Sequence, residues 1–265
     1  MELTAHPAIM AALAGMLSWA SIALGALVIF TRQQFSRRML DLMFGVAGGM
    51  MLGAAFWSLL SPALDLCKGL GRLAFAPPLL GLVLGATFLR GFDMVLPHLH
   101  SLSGTKEGLS TAWKRSVLLV TAMALHHIPE GLAIGVGYGA AGLEQTAMSL
   151  SAALVLTLSI MLQNIPEGLI VATALRAEGL SAKKSCFFGI LSGCTAPLGA
   201  IPGALAAGMT AFVLPVALAF AAGAMLYVIV EDVIPESQAS GNGNEATLAF
   251  IAGLILVMVL DTLLQ

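Results

Sequence analysis

The sequence predicts an all-α polytopic membrane protein with eight transmembrane helices and both termini extracytoplasmic. Three observations carry this reading. Of 265 residues, 58% are hydrophobic and only 10% charged, and the mean hydropathy is +0.95. A soluble domain carries roughly a quarter charged residues, so this chain lacks the polar surface to cover a globule in water. The apolar residues also fall into runs of about 20, the length that crosses the hydrocarbon core as a helix. Finally, the positive charges gather on one side of those runs. The net charge of −2 says nothing about nucleic acid, and no basic tract suggests it as a partner.

Taken in order, the first span covers 7–30 and is free of charge. The first basic residue is Arg32, so no basic segment precedes this span, and it is expected to be retained rather than cleaved as a signal peptide. Span two covers 41–64 and span three 73–97. Span four, 114–139, is interrupted by His126, His127 and Glu130, and span five, 146–175, by Glu167. The tract 185–230 has no charge and is too long for one crossing. A break near 208–210 divides it into spans six (184–208) and seven (211–233), and span eight covers 245–264. The whole chain, 1–265, reads as a single transmembrane domain. The connections at about 97–112 and 238–244 are rich in Gly, Ser or Asn and read as loops. Cys67, Cys186 and Cys194 are odd in number and read as small packing residues rather than a disulfide framework.

The basic residues test the count. The connections after spans one, three and five hold Arg32, Arg37, Arg38, Arg90, Lys106, Lys114, Arg115, Arg176, Lys183 and Lys184, whereas the opposite side holds only Lys68 and Arg72. Positive charge favours the cytoplasmic face, which puts both termini outside. A wrong number of spans would have scrambled that asymmetry.

Two segments nearly duplicate each other: His126-His127-Ile128-Pro129-Glu130-Gly131-Leu132 and Gln163-Asn164-Ile165-Pro166-Glu167-Gly168-Leu169. One lies on an outward-running span and the other on an inward-running span, as an inverted repeat would leave them. Each puts a carboxylate deep in apolar sequence, where an ionised group costs at least ~2.5–3.5 kcal/mol. No Lys or Arg lies in either span interior to offset that cost. A divalent cation would. His126 and Glu130 are spaced i, i+4, as are Gln163 and Glu167, so each pair shares a helix face. His127 and Asn164 sit one position round. Pro129 and Pro166 remove backbone hydrogen bonds, which a membrane tolerates only where protein, water or an ion satisfies the freed carbonyls.

At this motif the chain resembles the Zrt/Irt-like (ZIP) divalent metal transporters, and among them the bacterial GufA-like branch. The likeness extends over the whole chain. It implies a 3+2+3 arrangement, with spans one to three and six to eight as inverted halves that slide against each other. It implies a transport site of Met51, His126, Glu130, Gln163 and Glu167. A thioether beside imidazole and carboxylate suits zinc, cadmium, iron(II) or cobalt better than magnesium or calcium. A second metal would involve His127 and Asn164. However, Ala196 stands where the family has a Glu on span six, and Asn164 where an acidic residue is common, which weakens or removes that second site. By the same resemblance, Ser58, Asp65 and Asp261 form an outer entrance, and Asp93, His98, His100, Glu231 and Asp232 a cytoplasmic exit.

The function expected is transport of a divalent transition metal, zinc first and cadmium, iron(II), cobalt or manganese after it, across a bacterial inner membrane into the cytoplasm. The metal is substrate rather than cofactor. A membrane-embedded zinc hydrolase is the rival from another class. It needs an open metal position and a general base, yet a His-Glu-x-x-His signature is missing and no second His follows Glu130 at the needed spacing. An exporter or channel using the same site is the third reading. The Gly45, Gly49, Gly53 stripe on span two suits either a contact within the bundle or a homodimer.

Overall fold

A computed structural model describes residues 6–32, 35–99, 106–107, 114–143, 148–207 and 213–264. Among the described residues, eight helices are long and apolar enough to cross a membrane: α1 (Pro7–Phe30), α2 (Arg37–Leu66), α3 (Ala76–Val95), α4 (Arg115–Ala141), α5 (Leu150–Ala177), α6 (Ala182–Ala207), α7 (Val213–Gln238) and α8 (Gly243–Leu264). A two-residue antiparallel pair, β1 (His98–Leu99) with β2 (Lys106–Glu107), lies between α3 and α4. The expected break near 208–210 and the proposed ligand His100 lie outside the described residues.

Helix starts are fixed locally. The side chains of Ser36, Ser149 and Ser181 accept backbone N–H bonds at the starts of α2, α5 and α6, satisfying donors that a helix end leaves open. The outer faces are apolar, as lipid demands: Leu13, Leu24, Phe187, Leu198 and Leu248 all point outward. The share of buried residues is 67% in the apolar stretches of α2 and α5 but 11% in α8. The former sit inside the bundle and the latter at its edge.

The dominant pairings are α4 with α6, α2 with α8, α3 with α7, and α1 with α5. These map onto one another when α1–α3 exchange with α6–α8 and α4 exchanges with α5. Each is tight at the backbone. A side chain at Gly25 of α1 would strike the carbonyl of Ile165 on α5, and one at Gly135 of α4 the carbonyl of Ala200 on α6. The Gly45, Gly49 and Gly53 stripe faces Ala246, Phe250 and Val257 of α8. The stripe thus serves a contact within the chain, and a dimer would have to use another face. Helices α1, α4, α5 and α6 form one group and α2, α3, α7 and α8 a second. The two groups meet chiefly where α2 touches α5 and α4 touches α7.

The helices α2 and α7 share one irregularity. Ala54–Leu60 and Ile229–Val233 widen to π-helix, and each is followed at once by a proline, Pro62 or Pro235. A proline cannot supply the N–H that closes the preceding turn, and π-turns recur where helices carry functional groups. In α2 the widened turn carries Ser58, and in α7 it carries Glu231 and Asp232.

Candidate metal centre

The duplicated motifs meet in the middle of the bundle. His126, His127 and Glu130 of α4 and Gln163, Asn164 and Glu167 of α5 are all buried, none more than 3% exposed. Donor atoms of His126, Glu130 and Glu167 lie within 4.8 Å of one another. Glu167 Oε2 stands 3.6 Å from His126 Nε2 and 3.5 Å from His127 Nε2. The i, i+4 spacing places His126 and Glu130 together as expected, and His127 reaches the same carboxylate from one position round.

The amides do a second job. Gln163 Nε2 donates to Glu130 Oε1 at 2.7 Å, and Asn164 Nδ2 donates to Ser18 Oγ at 2.8 Å on α1. That leaves a set of buried atoms with no hydrogen-bond partner among the described residues: His126 Nε2, both ring nitrogens of His127, Glu130 Oε2, Gln163 Oε1, Asn164 Oδ1 and both oxygens of Glu167. Buried polar groups without partners each cost a kilocalorie or more. The imidazole and carboxylates that do converge, those of His126, Glu130 and Glu167, are of the donor types that suit a borderline divalent ion.

Neighbouring helices brace the site. The glycine after each glutamate admits a backbone: Gly131 lies against the carbonyl of Ala196 on α6, and Gly168 against that of Ile22 on α1. Thr195 Oγ1 donates to the carbonyl of Ala124 at 2.7 Å, and Trp19 Nε1 to that of Ile190 at 2.6 Å, tying α6 to α4 and α1. α6 itself contains no Asp or Glu. Met51 is fully buried on α2, in the same apolar cluster as Ile134 and Ile170 of α4 and α5. Ser18 was not legible beforehand, being a lone serine in an apolar span.

Ser58 Oγ donates to Asp261 Oδ1 at 3.4 Å, joining α2 to α8. Asp65 stands apart from that pair, bridged to Lys68 at 2.8 Å. Asp93 is buried at the end of α3, and the Tyr227 hydroxyl of α7 lies beside Asp93 and Arg90, within electrostatic reach of Glu231. Asp232, next along α7, lies within electrostatic reach of His126. His98 is placed only by its backbone, in β1.

The family model for the ZIP zinc transporter matches residues 97–261. The chain is 41% identical over 251 residues to the zinc transporter GufA of Myxococcus xanthus, covering 94% of this chain and 96% of that one. It is 34% identical over 339 residues to the zinc transporter ZIP11 of Homo sapiens, with 98% of each chain covered. With the zinc transporter ZIPB of Bordetella bronchiseptica it shares 39% identity over 257 residues, covering 96% of this chain and 81% of that one.

Proposed function

The chain belongs to the ZIP family of zinc transporters, and from that premise we propose that it carries Zn²⁺ into the cytoplasm through a mid-membrane site on α4 and α5. As a member of a transporter family it is an integral membrane protein and not an enzyme, and the metal is its cargo. The observation that carries the proposal is the convergence of buried ligand atoms from His126, Glu130 and Glu167 within 4.8 Å, with His126 Nε2, Glu130 Oε2 and both Glu167 oxygens free of hydrogen bonds among the described residues. His127 adds a second imidazole beside Glu167. Gln163 and Asn164 offer their amide oxygens while their nitrogens fix the orientation. Met51 supplies a thioether from the facing group of helices. A second ion beside the first is held weakly, because α6 brings no carboxylate to it.

The route runs from Ser58, Asp65 and Asp261 at the extracytoplasmic mouth to Asp93, His98, His100, Glu231 and Asp232 at the cytoplasmic one. The basic loops support that orientation, in a bacterial inner membrane. Exchange of α1–α3 with α6–α8 reproduces the helix pairings and supports the 3+2+3 inverted repeat. Tight pairing within each group of four helices, against fewer contacts between groups, supports sliding of one group along the other. Uptake of radioactive zinc by proteoliposomes tests the reading, with cadmium, iron(II), cobalt and manganese as competitors. Zinc should enter in a saturable manner and cadmium should compete best; an impermeable vesicle would overturn it.

A further inference from the structure

The two contacts between the helix groups end differently at the basic face. Where α4 meets α7, that end carries Asp93, Glu231 and Asp232. Where α2 meets α5, beside the end of α1, a cavity of about 580 Å³ opens instead. Arg37 and Arg176 line it, with Thr173 and the apolar side chains of Ile29, Phe35 and Leu40. No carboxylate lines it among the described residues, and the nearby Glu178 is engaged by Arg115 Nε at 2.9 Å.

Such a cavity repels a divalent cation and attracts an anion. Arg37 is held in place, its Nε donating to Ser240 Oγ at 2.9 Å. The Thr173 hydroxyl oxygen is buried and has no hydrogen-bond partner among the described residues. Two guanidinium forks and a spare hydroxyl match the oxygens of a phosphate. The apolar walls are out of place for a soluble ion but suit a lipid. On another flank of α2 a groove of about 440 Å³ runs past Met39, Leu42, Met43, Val46 and Pro166, with Arg38 among its lining residues. Basic pockets between membrane helices on the cytoplasmic side take anionic headgroups.

We propose that the cavity between α1, α2 and α5 binds the phosphate of an anionic phospholipid, with the apolar walls of Ile29, Phe35 and Leu40 receiving the adjoining glycerol and acyl portion. The site is separate from the metal centre and shares with the zinc reading only residence in a membrane. A lipid seated there touches both helix groups, so its occupancy bears on their relative movement.

The test counts bound lipid. The full chain is reconstituted in phosphatidylcholine nanodiscs containing phosphatidylglycerol, released into detergent and weighed by native mass spectrometry. Wild type should retain one phosphatidylglycerol. The double variant Arg37→Gln/Arg176→Gln should bind it more weakly by about thirtyfold, the combined contribution of two basic side chains at a lipid surface. Thr173→Val, which keeps every charge, should lose a smaller, severalfold share and serves if the double variant fails to fold. Lys183→Gln/Lys184→Gln should retain lipid as wild type does. Retention unchanged in both the arginine and threonine variants would overturn the proposal, as would an equal loss in the lysine variant. Displacement by millimolar inorganic phosphate would overturn the lipid and leave a soluble-phosphate site. Zinc flux plays no part in the readout, so either proposal can fail alone.

Discussion

The two copies of the central motif share the frame Ile-Pro-Glu-Gly-Leu but not their surroundings. On α4 the residues before that frame are His126 and His127; on α5 they are Gln163 and Asn164. Both residues of the α4 pair face the other copy's carboxylate, whereas of the α5 pair only Gln163 does and Asn164 turns to Ser18. The imidazoles of α4 approach Glu167 at 3.6 and 3.5 Å, whereas the Gln163 amide of α5 donates to Glu130 at 2.7 Å. Glu130 thus has one oxygen engaged, while neither oxygen of Glu167 has a hydrogen-bond partner among the described residues. The repeat provides two carboxylates, and the difference between the flanking pairs leaves Glu167 with both oxygens free of hydrogen bonds and Glu130 with one oxygen held. In the proposed site, that makes Glu167 the better-placed partner for the ion.

The sharpest way to break this contrast is to remove each carboxylate in turn. Glu167→Ala should weaken zinc binding by more than the ~10–100-fold that loss of an outer-shell partner costs, measured by calorimetry in detergent, and should stop uptake. Glu130→Ala should cost less, and an equal or greater loss there would erase the asymmetry. Next come the flanking residues. His126→Ala removes a ligand, and its effect should lie near the top of that range. Gln163→Leu removes the donor that orients Glu130 together with a neutral amide oxygen, the weakest of the proposed ligands, and should lie near the bottom, with affinity rather than maximal uptake rate changing most.

The glycines sharpen the comparison from the other side, because there the copies agree. Gly131→Ala and Gly168→Ala each push a methyl into a neighbouring carbonyl, of Ala196 or Ile22. Both should lower stability by about 1–3 kcal/mol, as overpacking does, read as similar falls in thermal unfolding midpoint. Unequal falls would show that the two braces differ. The smallest effect belongs to Ser18→Ala, which frees the Asn164 amide. Loss of one hydrogen bond of about 1 kcal/mol should weaken zinc binding by ~5-fold, and no change would detach Asn164 from the site.

Much of this was legible in the sequence because membranes impose coarse rules. Long uncharged runs and the placement of Lys and Arg are one-dimensional signals, and eight helices followed from them. The i, i+4 pairs on α4 and α5 were equally legible, since helix geometry fixes which residues share a face. What escaped was whatever depends on a partner far along the chain. That Gln163 supports Glu130, and that Ser18 holds Asn164, requires knowing which helices touch. The Gly45, Gly49, Gly53 stripe announced a close approach but could not say whether α8 or a second copy would fill it. The widened turns of α2 and α7 left a trace in Pro62 and Pro235, yet a proline alone does not tell a kink from a π-turn.

One consequence remains in the interlocked backbones of α1, α4, α5 and α6. Glycine-to-carbonyl packing leaves these helices little slack, so the gap between the facing donors cannot stretch to suit its guest. For the proposed site, ligand number and type then become a filter. Zinc accepts four donors that include nitrogen, whereas calcium asks for six to eight oxygens. A mount of few donors, with imidazole among them, turns away the oxygen-seeking ion while leaving room for zinc and the softer cadmium.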